Sequence, residues 1–433
     1  AGPDGKIVVP FSYVGAEGGA RMGMARYLPD GRLDRSFAVA GTWVSDLPNG
    51  GWPAAAVAPS GRVLLAGTTT GGQGDADVLL AALAPPLVAS GRPVAWGFGG
   101  LGQLGVGSAP VTAVAGGAHH TLTVGTDGTV RASGWNASGQ LGNGTTTDSR
   151  VPVRVSGLTG VVAVAAGAYH SVALRSDGTV WAWGWNHFGQ LGNGTTADSP
   201  TPVQVAGLTQ VKAIASGAHH NLALRADGSV WAWGWNGVGQ LGTGSTVDRL
   251  VPVRVPIPPG VTSLAAGSYH SLFVYSNGVI VSAGWNAFGQ LGRNSDGAGL
   301  APAAVEGSGP FPSQSVFVAV AGGGLHSLAV RVDGTVWSWG WNHLGELGDG
   351  TTSDRPRPVM VTGVTNAADV AAGAYHSLVL ARDGTVKAWG WNTYRQLGTS
   401  TGADSTVPLP VTAVPAGTLV KGIAAGALHS FAY

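Results

Sequence analysis

Cysteine is absent from the 433 residues, which excludes disulfides, thiolate catalysis and cysteine-ligated metals. Only 10% of the residues are charged and the net charge is +1, without a basic run, so the electrostatic attraction that dominates nucleic-acid binding is missing. No uninterrupted apolar run reaches the length of about 18 residues that a membrane-spanning helix needs. The chain also lacks a nucleophile elbow, a phosphate-binding glycine loop and a paired-histidine zinc motif. These absences predict a protein that is not an enzyme and that binds no cofactor, metal or nucleic acid.

Lysine is also scarce, with four residues against nineteen arginines, which is typical of a GC-rich bacterial source. The chain begins at Ala1 without a methionine, which suits a secreted protein after processing and equally a trimmed chain. Hydrophobic residues make up 44% and glycine contributes 73 residues, so the chain can bury a core and contains many turns. Composition therefore favours a folded, glycine-rich bacterial protein, and a secreted or cell-surface location is part of the leading hypothesis.

Two motifs recur seven times each, mostly fifty residues apart, and indicate a repeat architecture. The first is Gly-x-x-His, and its histidines are His120, His170, His220, His270, His326, His376 and His429. The second is Gly-Trp-Asn-x-x-Gly-Gln-Leu-Gly with small departures, and it begins at Gly97, Gly134, Gly184, Gly234, Gly284, Gly340 and Gly390.

The residues between the motifs predict short strands. In one copy, Val161–Gly167 and Ser171–Ser176 are apolar runs, and Thr179–Gly184 follows an Asp177-Gly178 dipeptide. That dipeptide predicts a two-residue hairpin turn in which both central residues have positive φ. Pro202–Val205 can begin the pairing of the following blade. Several strands per fifty residues, without a helical period, are typical of an all-β propeller.

The two ends of the chain predict how the ring closes. The seventh copy stops at Tyr433, before it has a hairpin and a tryptophan strand of its own. The missing piece, Ser90-Gly-Arg-Pro-Val-Ala-Trp-Gly97, stands at the start of the repeats. Strands from residues 90–97 and 419–433 are therefore expected to pair within one blade, which hides edges that invite aggregation.

The repeat resembles that of the regulator-of-chromosome-condensation family. The resemblance rests on residues 165–171 (AAGAYHS), 177–184 (DGTVWAWG) and 186–192 (NHFGQLG), and it covers about residues 90–433. It implies a seven-bladed β-propeller of four-stranded blades over residues 90–433. The family does not fix one function, because its members include a nucleotide-exchange factor, a plant UV-B photoreceptor and a β-lactamase inhibitor.

Residues 1–89 form a separate predicted β segment. The stretch Pro3–Val9 is echoed by Pro59–Leu65, and Ala25–Asp34 resembles the bacterial delta-60 repeat. Fewer than two such copies are present, so the segment is not expected to bury a core by itself.

The ring of motif histidines invites a metal-site hypothesis. Neighbouring histidines are one blade apart, whereas ligands of a shared ion lie about 2 Å from it. The interpretation favoured here is structural, with each turn histidine bonding nearby backbone in its own blade.

Tryptophans occupy three positions around each second motif. Trp96, Trp183, Trp233, Trp339 and Trp389 are expected to pack between blades, whereas the slot of Trp181, Trp231 and Trp337 also holds Arg131 and Lys387 and so must be partly exposed. The third position is the residue directly after the glycine that ends each tryptophan strand. The residue directly before each motif histidine is expected on the same face of the ring. The candidate partner-binding residues are Phe98, Trp135, Trp185, Trp235, Trp285, Trp341, Trp391, His119, Tyr169, His219, Tyr269 and Tyr375.

Two interpretations of this third position remain open. The tryptophans either seal blade junctions or form an exposed aromatic ring that marks a binding surface. The leading functional hypothesis is a scaffold that binds a protein partner, or copies of itself, through this face. The alternative is a lectin-like surface, since sugars stack on exposed aromatic rings.

Two activities known in the resembling family are not expected. The photoreceptor carries its sensing tryptophans after the glycine of a Gly-Trp-Arg-His-Thr motif, and the matching positions here hold no tryptophan (Ala118, Ala168, Ala218, Ser268, Gly324, Ala374 and Ala427). Nucleotide exchange is disfavoured because no long wedge-like insertion interrupts the blades.

Overall fold

Each repeat forms one antiparallel sheet in the computed structural model. The structure describes residues 92–294, 297–308, 316–415, 417–418 and 420–433, and in residues 1–89 it describes only the backbone of the strands. The chain divides into two compact units, Ala1–Ala89 and Ser90–Tyr433.

Seven sheets make up the second unit, and they are numbered here as blades 1 to 7 in chain order. Blades 1 to 3 comprise β8 (Val111–Gly116), β9 (His120–Gly125), β10 (Val130–Gly134) and β11 (Ser149–Arg154); β12 (Val161–Ala166), β13 (His170–Arg175), β14 (Val180–Gly184) and β15 (Ser199–Gln204); and β16 (Val211–Ser216), β17 (His220–Arg225), β18 (Val230–Gly234) and β19 (Arg249–Arg254). Blades 4 to 6 comprise β20 (Val261–Ala266), β21 (His270–Tyr275), β22 (Ile280–Gly284) and β23 (Gly299–Ala304); β24 (Phe317–Gly322), β25 (His326–Arg331), β26 (Val336–Gly340) and β27 (Arg355–Met360); and β28 (Ala367–Ala372), β29 (His376–Ala381), β30 (Val386–Gly390) and β31 (Ser405–Pro410). Blade 7 comprises β32 (Ile423–Ala425), β33 (His429–Ala432) and β7 (Val94–Gly97). The first strand of each blade lines a central channel, so the predicted all-β, seven-bladed propeller is confirmed.

Ring closure follows the sequence prediction. β7 pairs with β33 in antiparallel register, from His429 opposite Gly97 to Ala432 opposite Val94. Blade 7 has three strands in the part of the chain described. Only five residues separate Gly105 from Val111, where eighteen separate Gly192 from Val211 in blade 2, so the chain has no residues there for an outer strand.

The outer strand of the other blades corrects one expectation. Residues 199–204 form β15, which pairs with β14 of its own blade and not with the following blade. Every outer strand contains proline, which removes backbone donors and discourages edge-to-edge pairing. The fourth residue of each outer strand is Pro152, Pro202, Pro252, Pro302, Pro358 or Pro408, and three strands hold a second proline, Pro200, Pro356 or Pro410. Proline therefore marks the exposed outer edge of the blades.

The Asp-Gly turns are also longer than predicted. In blade 2 the Gly178 N–H donates to the Arg175 carbonyl at 2.9 Å, and the Arg175 N–H donates to the Thr179 carbonyl at 2.9 Å. Gly178 has a φ of 77°, whereas Asp177 does not have positive φ. The predicted two-residue turn is therefore wrong. The Asp177 side chain accepts hydrogen bonds from the N–H and hydroxyl of Thr179, which stabilise the longer loop. The loop is a type I turn closed by a left-handed glycine.

The core lies between blades rather than within a single layer. One buried cluster joins Leu122 and Val130 of blade 1 to Val161 and Trp183 of blade 2, and similar clusters join later neighbours. Each blade therefore needs the next one to bury its apolar face.

In the first unit the structure describes six strands in two sheets. They are β1 (Ile7–Val14), β2 (Ala20–Tyr27), β3 (Thr42–Val44), β4 (Ala54–Val57), β5 (Val63–Thr70) and β6 (Ala76–Ala82). The sheet orders are β1-β2-β3 and β4-β5-β6. The strand predicted to start at residue 90 begins at Val94, and Ser90 and Gly91 lie outside the described residues.

Candidate functional site

The motif histidines form a ring of side-chain hydrogen bonds between blades. His120 Nε2 lies 2.9 Å from Ser171 Oγ of the next blade, and His170 Nε2 lies 2.8 Å from Asn221 Oδ1. The series closes where His429 Nε2 lies 3.2 Å from Thr121 Oγ1 of blade 1. The expected bond to nearby backbone is therefore wrong for the imidazole, because its partner is a side chain from the following blade. We call this ring the histidine clasp, formed by His120, His170, His220, His270, His326, His376 and His429 with their partners.

The clasp fixes one neutral tautomer. Ser171 Oγ donates its only hydrogen to the Gln140 carbonyl at 2.8 Å, so it must accept from His120 Nε2–H. Every clasp Nδ1 is buried and has no hydrogen-bond partner among the described residues, which leaves the neutral form favoured. Burial lowers the pKa of His120 to about 3 and that of His170 to about 4. The clasp is therefore uncharged at neutral pH.

The glycine of Gly-x-x-His is required by the same geometry. A Cβ on Gly167 would overlap the His170 ring, and the other six motif glycines stand in the same relation to their histidines. The imidazole thus packs directly on the glycine backbone, which explains why the two residues recur together.

Replacing His220 by alanine is expected to lower the free energy of unfolding by about 2–5 kcal/mol, because it leaves a cavity beside Gly217 and removes the hydrogen bond to Ser271. Urea unfolding measures the change. His187→Ala, at an exposed histidine, serves as the control and should stay within about 0.5 kcal/mol of the parent. Equal losses in both variants would contradict the structural role of the clasp.

The inter-blade tryptophans are placed as predicted. Trp183, Trp233, Trp339 and Trp389 are fully buried, and Trp96 is 6% exposed. Trp183 Nε1 donates to the Gln140 carbonyl at 2.9 Å, the same carbonyl that accepts from Ser171. Burying such a ring contributes at most about 4–6 kcal/mol. In the neighbouring slot, Arg131 is exposed and Trp181 half-buried, as expected.

The twelve candidate residues are all half-buried, and the structure brings most of them into direct ring contact. The third-position tryptophans pack edge-on against the pre-histidine residues of their own and the following blade. Trp135 and Tyr169 have centroids 5.3 Å apart, and Trp185 and His219 are 5.2 Å apart. These contacts bridge blades, and part of each ring stays accessible, so the use of this face for binding stays a prediction.

Five further aromatic residues, which the sequence reasoning missed, complete this surface: His187, Phe188, Phe288, His343 and Tyr394. They occupy the two variable positions of the second motif. In blade 5 the residue before the motif histidine is Leu325, which has no aromatic ring, and Phe288 contacts Trp341 there instead. Tyr394 contacts both Trp391 and Phe98. A comparison of the variable positions across copies would have revealed them. We call these five and the twelve candidates the aromatic belt.

Two histidines of the aromatic belt are held in the neutral form. Burial lowers the pKa of His219 to about 4 and also lowers the pKa of His119, so neither carries charge at neutral pH. No group of three or more His, Asp or Glu side chains in the described part of the chain is arranged to hold a metal ion. Within the same residues, no helix is long and apolar enough to cross a bilayer. The belt is thus suited to apolar and hydrogen-bonding contacts.

Comparison with known proteins agrees with this geometry. Residues 2–37 match a β-propeller domain of unknown function, DUF5122. A 49-residue stretch is 39% identical to the ultraviolet-B receptor UVR8 of Arabidopsis thaliana and covers 11% of this chain and 11% of the receptor. A 44-residue stretch is 48% identical to the human E3 ubiquitin-protein ligase HERC2, covering 10% of this chain and 1% of the ligase. The chain thus matches only a small part of these curated relatives' length.

Two solved structures share the fold. Yeast RCC1 (Prp20), solved bound to Kap60, superposes with a TM-score of 0.69 at 24% identity, covering 79% of this chain and 88% of that one. Human WBSCR16 gives the same TM-score and identity over 79% of this chain and 98% of that one. The RCC1-like domain model matches residues 108–432, and the chain therefore belongs to the RCC1-like domain family.

Proposed function

We propose that this chain is a non-catalytic scaffold that binds a protein partner, or further copies of itself, through the aromatic belt. The observation that carries the proposal is the continuity of the belt, where half-buried or exposed rings touch from His119 around the face to Phe98. Aromatic residues are enriched where proteins bind one another, and a large accessible aromatic surface marks an interaction site.

The rigidity of the ring supports the same proposal. Clasp and core contacts join adjacent blades, so the belt is held in one arrangement before a partner arrives, which limits the entropy that binding costs. Yeast RCC1, which shares the fold, is a protein-binding protein, since its structure was solved with Kap60. We further propose a bacterial source, supported by the excess of arginine over lysine, and a secreted or cell-surface location, which suits an interaction scaffold without catalytic motifs.

Replacing Trp185, Trp235 and Tyr269 together by alanine is expected to abolish association while the ring stays folded, because three neighbouring belt residues lose their contact surface. Light scattering after size exclusion measures self-association, and pull-down from the source cells measures partner binding. The matched control replaces Trp181, Trp231 and Trp337, which are half-buried tryptophans outside the belt.

Unchanged association in the belt variant, or equal loss in the control, would remove the belt as the interface. The same proteins on a glycan array test the alternative function. Glycan binding that the belt variant loses would assign the belt to carbohydrate recognition instead.

A further inference from the structure

Glu346 occupies a position that is glutamine in the other six blades. The glutamine Oε1 accepts the backbone N–H two residues earlier, as Gln290 does from Phe288 at 3.0 Å. Glu346 Oε2 accepts from Leu344 N–H, also at 3.0 Å. All seven side chains are fully buried, and the six glutamines are Gln103, Gln140, Gln190, Gln240, Gln290 and Gln396. Glu346 is therefore folded as an isostere of glutamine.

The second polar atom differs between the two residue types. In the six glutamines it is Nε2 and in Glu346 it is Oε1, and in all seven side chains this atom is buried and has no hydrogen-bond partner among the described residues. A carboxylate would therefore place an unpaired charge where six blades place an uncharged amide, at a high desolvation cost. A neutral carboxylic acid would match the uncharged amide at this position.

The neighbouring groups do not supply a countercharge. Asp354 of the same loop and Asp404 of the blade 6 loop both act on Glu346 as like charges. His376, on the adjacent strand of blade 6, is held neutral by burial. The surroundings of Glu346 therefore favour its protonated form.

Glu346 also supports the junction between blades 5 and 6. Its backbone carbonyl accepts from Trp389 Nε1 at 2.7 Å and from Ser377 Oγ at 2.8 Å, and Ser377 is the clasp partner of His326. Trp341, at the start of the same loop, contacts Tyr375 on the aromatic belt at 5.5 Å. A displacement of Glu346 would reach the core, the clasp and the belt together.

We propose that Glu346 is a proton-controlled latch, which closes the junction of blades 5 and 6 as a neutral acid and loosens it when it ionises. The direction of the effect follows from the two states. Burial raises the pKa of Glu346 to about 8, while an unfolded glutamate ionises near 4.5. Between these values the folded chain keeps a proton that the unfolded chain has lost, so the latch contributes fully below the lower value and is lost as the pH rises through about 8.

Glu346→Gln tests the latch in the full chain, by thermal melts from pH 6.5 to 9.5. The variant is expected to melt several degrees above the parent, with a difference that grows as the pH rises toward 9. Gln290→Glu, the matched variant at the junction of blades 4 and 5, should create a second latch and melt lower as the pH rises. Identical pH profiles for the parent and Glu346→Gln would overturn the proposal.

Infrared spectroscopy supplies a measurement that does not depend on stability. The parent should show a protonated-carboxyl band at pH 7 that disappears near pH 8 and is absent from Glu346→Gln. A parent without that band at pH 7 would carry ionised Glu346 and would equally overturn the latch. Hydrogen exchange at the Trp389 indole should accelerate above pH 8 beyond the base-catalysed rise seen in the variant.

Discussion

Deleting residues 1–97 should open the propeller and abolish its cooperative unfolding, whereas deleting residues 1–88 should leave the ring folded. The longer deletion removes β7, which forms four residue pairs with β33 in the closing blade and places Trp96 between blades 6 and 7. Trp96 Nε1 donates to the Gln396 carbonyl of blade 6 at 2.9 Å, so its loss uncouples two blades.

The expected size of the effect approaches the stability of a whole domain. Removing a buried tryptophan alone costs about 3–5 kcal/mol, and a folded domain is stable by only about 5–15 kcal/mol. The four lost residue pairs and the exposed edge of β33 add to that cost and favour aggregation. Trp96→Ala in the full chain provides the intermediate variant.

Thermal melts with light scattering distinguish the two deletions. The shorter deletion keeps Val94–Gly97 and should retain a single sharp transition. If both deletions melt at the same temperature, β7 does not close the ring in solution.

The strand order and the closure of the propeller could be predicted because the sequence repeats. Seven aligned copies set the strand order, and the displaced Trp96 strand revealed the closing pair, because a missing element in one copy stands out against six others. The burial of Trp183 and the half-burial of Trp181 could likewise be predicted from which residues the other copies tolerate in each slot.

Contacts between copies were harder to predict. The partner of His120 is Ser171, one full repeat away, and a repeat pattern does not say which side chains of adjacent blades meet. The outer strand β15 was assigned to the wrong blade, because prolines weaken its strand signal. The burial of the third-position tryptophans depends on how their side chains pack across blades, which sequence spacing alone does not determine.

Acidification should unfold the propeller steeply below about pH 6.5, before most carboxylates are protonated. Burial lowers the pKa of His120, His220, His326, His376 and His429 to about 3 and that of His170 and His270 to about 4. An unfolded histidine takes up a proton near pH 6.5, so the unfolded chain binds more protons than the folded chain between these values. The stability that the clasp contributes is complete above pH 6.5 and is lost as the pH falls.

Opposing groups are too few to cancel this loss. Each clasp histidine changes the free energy of unfolding by about 1.4 kcal/mol per pH unit in this range, so seven together give on the order of 10 kcal/mol per unit. Burial raises the pKa of Glu346 to about 8, so this group stabilises the fold as the pH falls. One such group offsets only about 1.4 kcal/mol per unit, so the histidines determine the sign.

Urea unfolding at half-unit steps from pH 7 to pH 4.5 measures this slope, and one substitution identifies its source. His220→Gln removes one titrating ring, so the slope should fall by about 1.4 kcal/mol per pH unit even though the variant is less stable overall. His187→Gln, at an exposed site on the belt, should leave the slope unchanged. A chain that stays folded to pH 4 would show that the clasp takes up protons without opening. Every clasp bond joins two blades, so protonating one imidazole disturbs two blades at once. Acid unfolding should therefore be a single transition of the whole propeller.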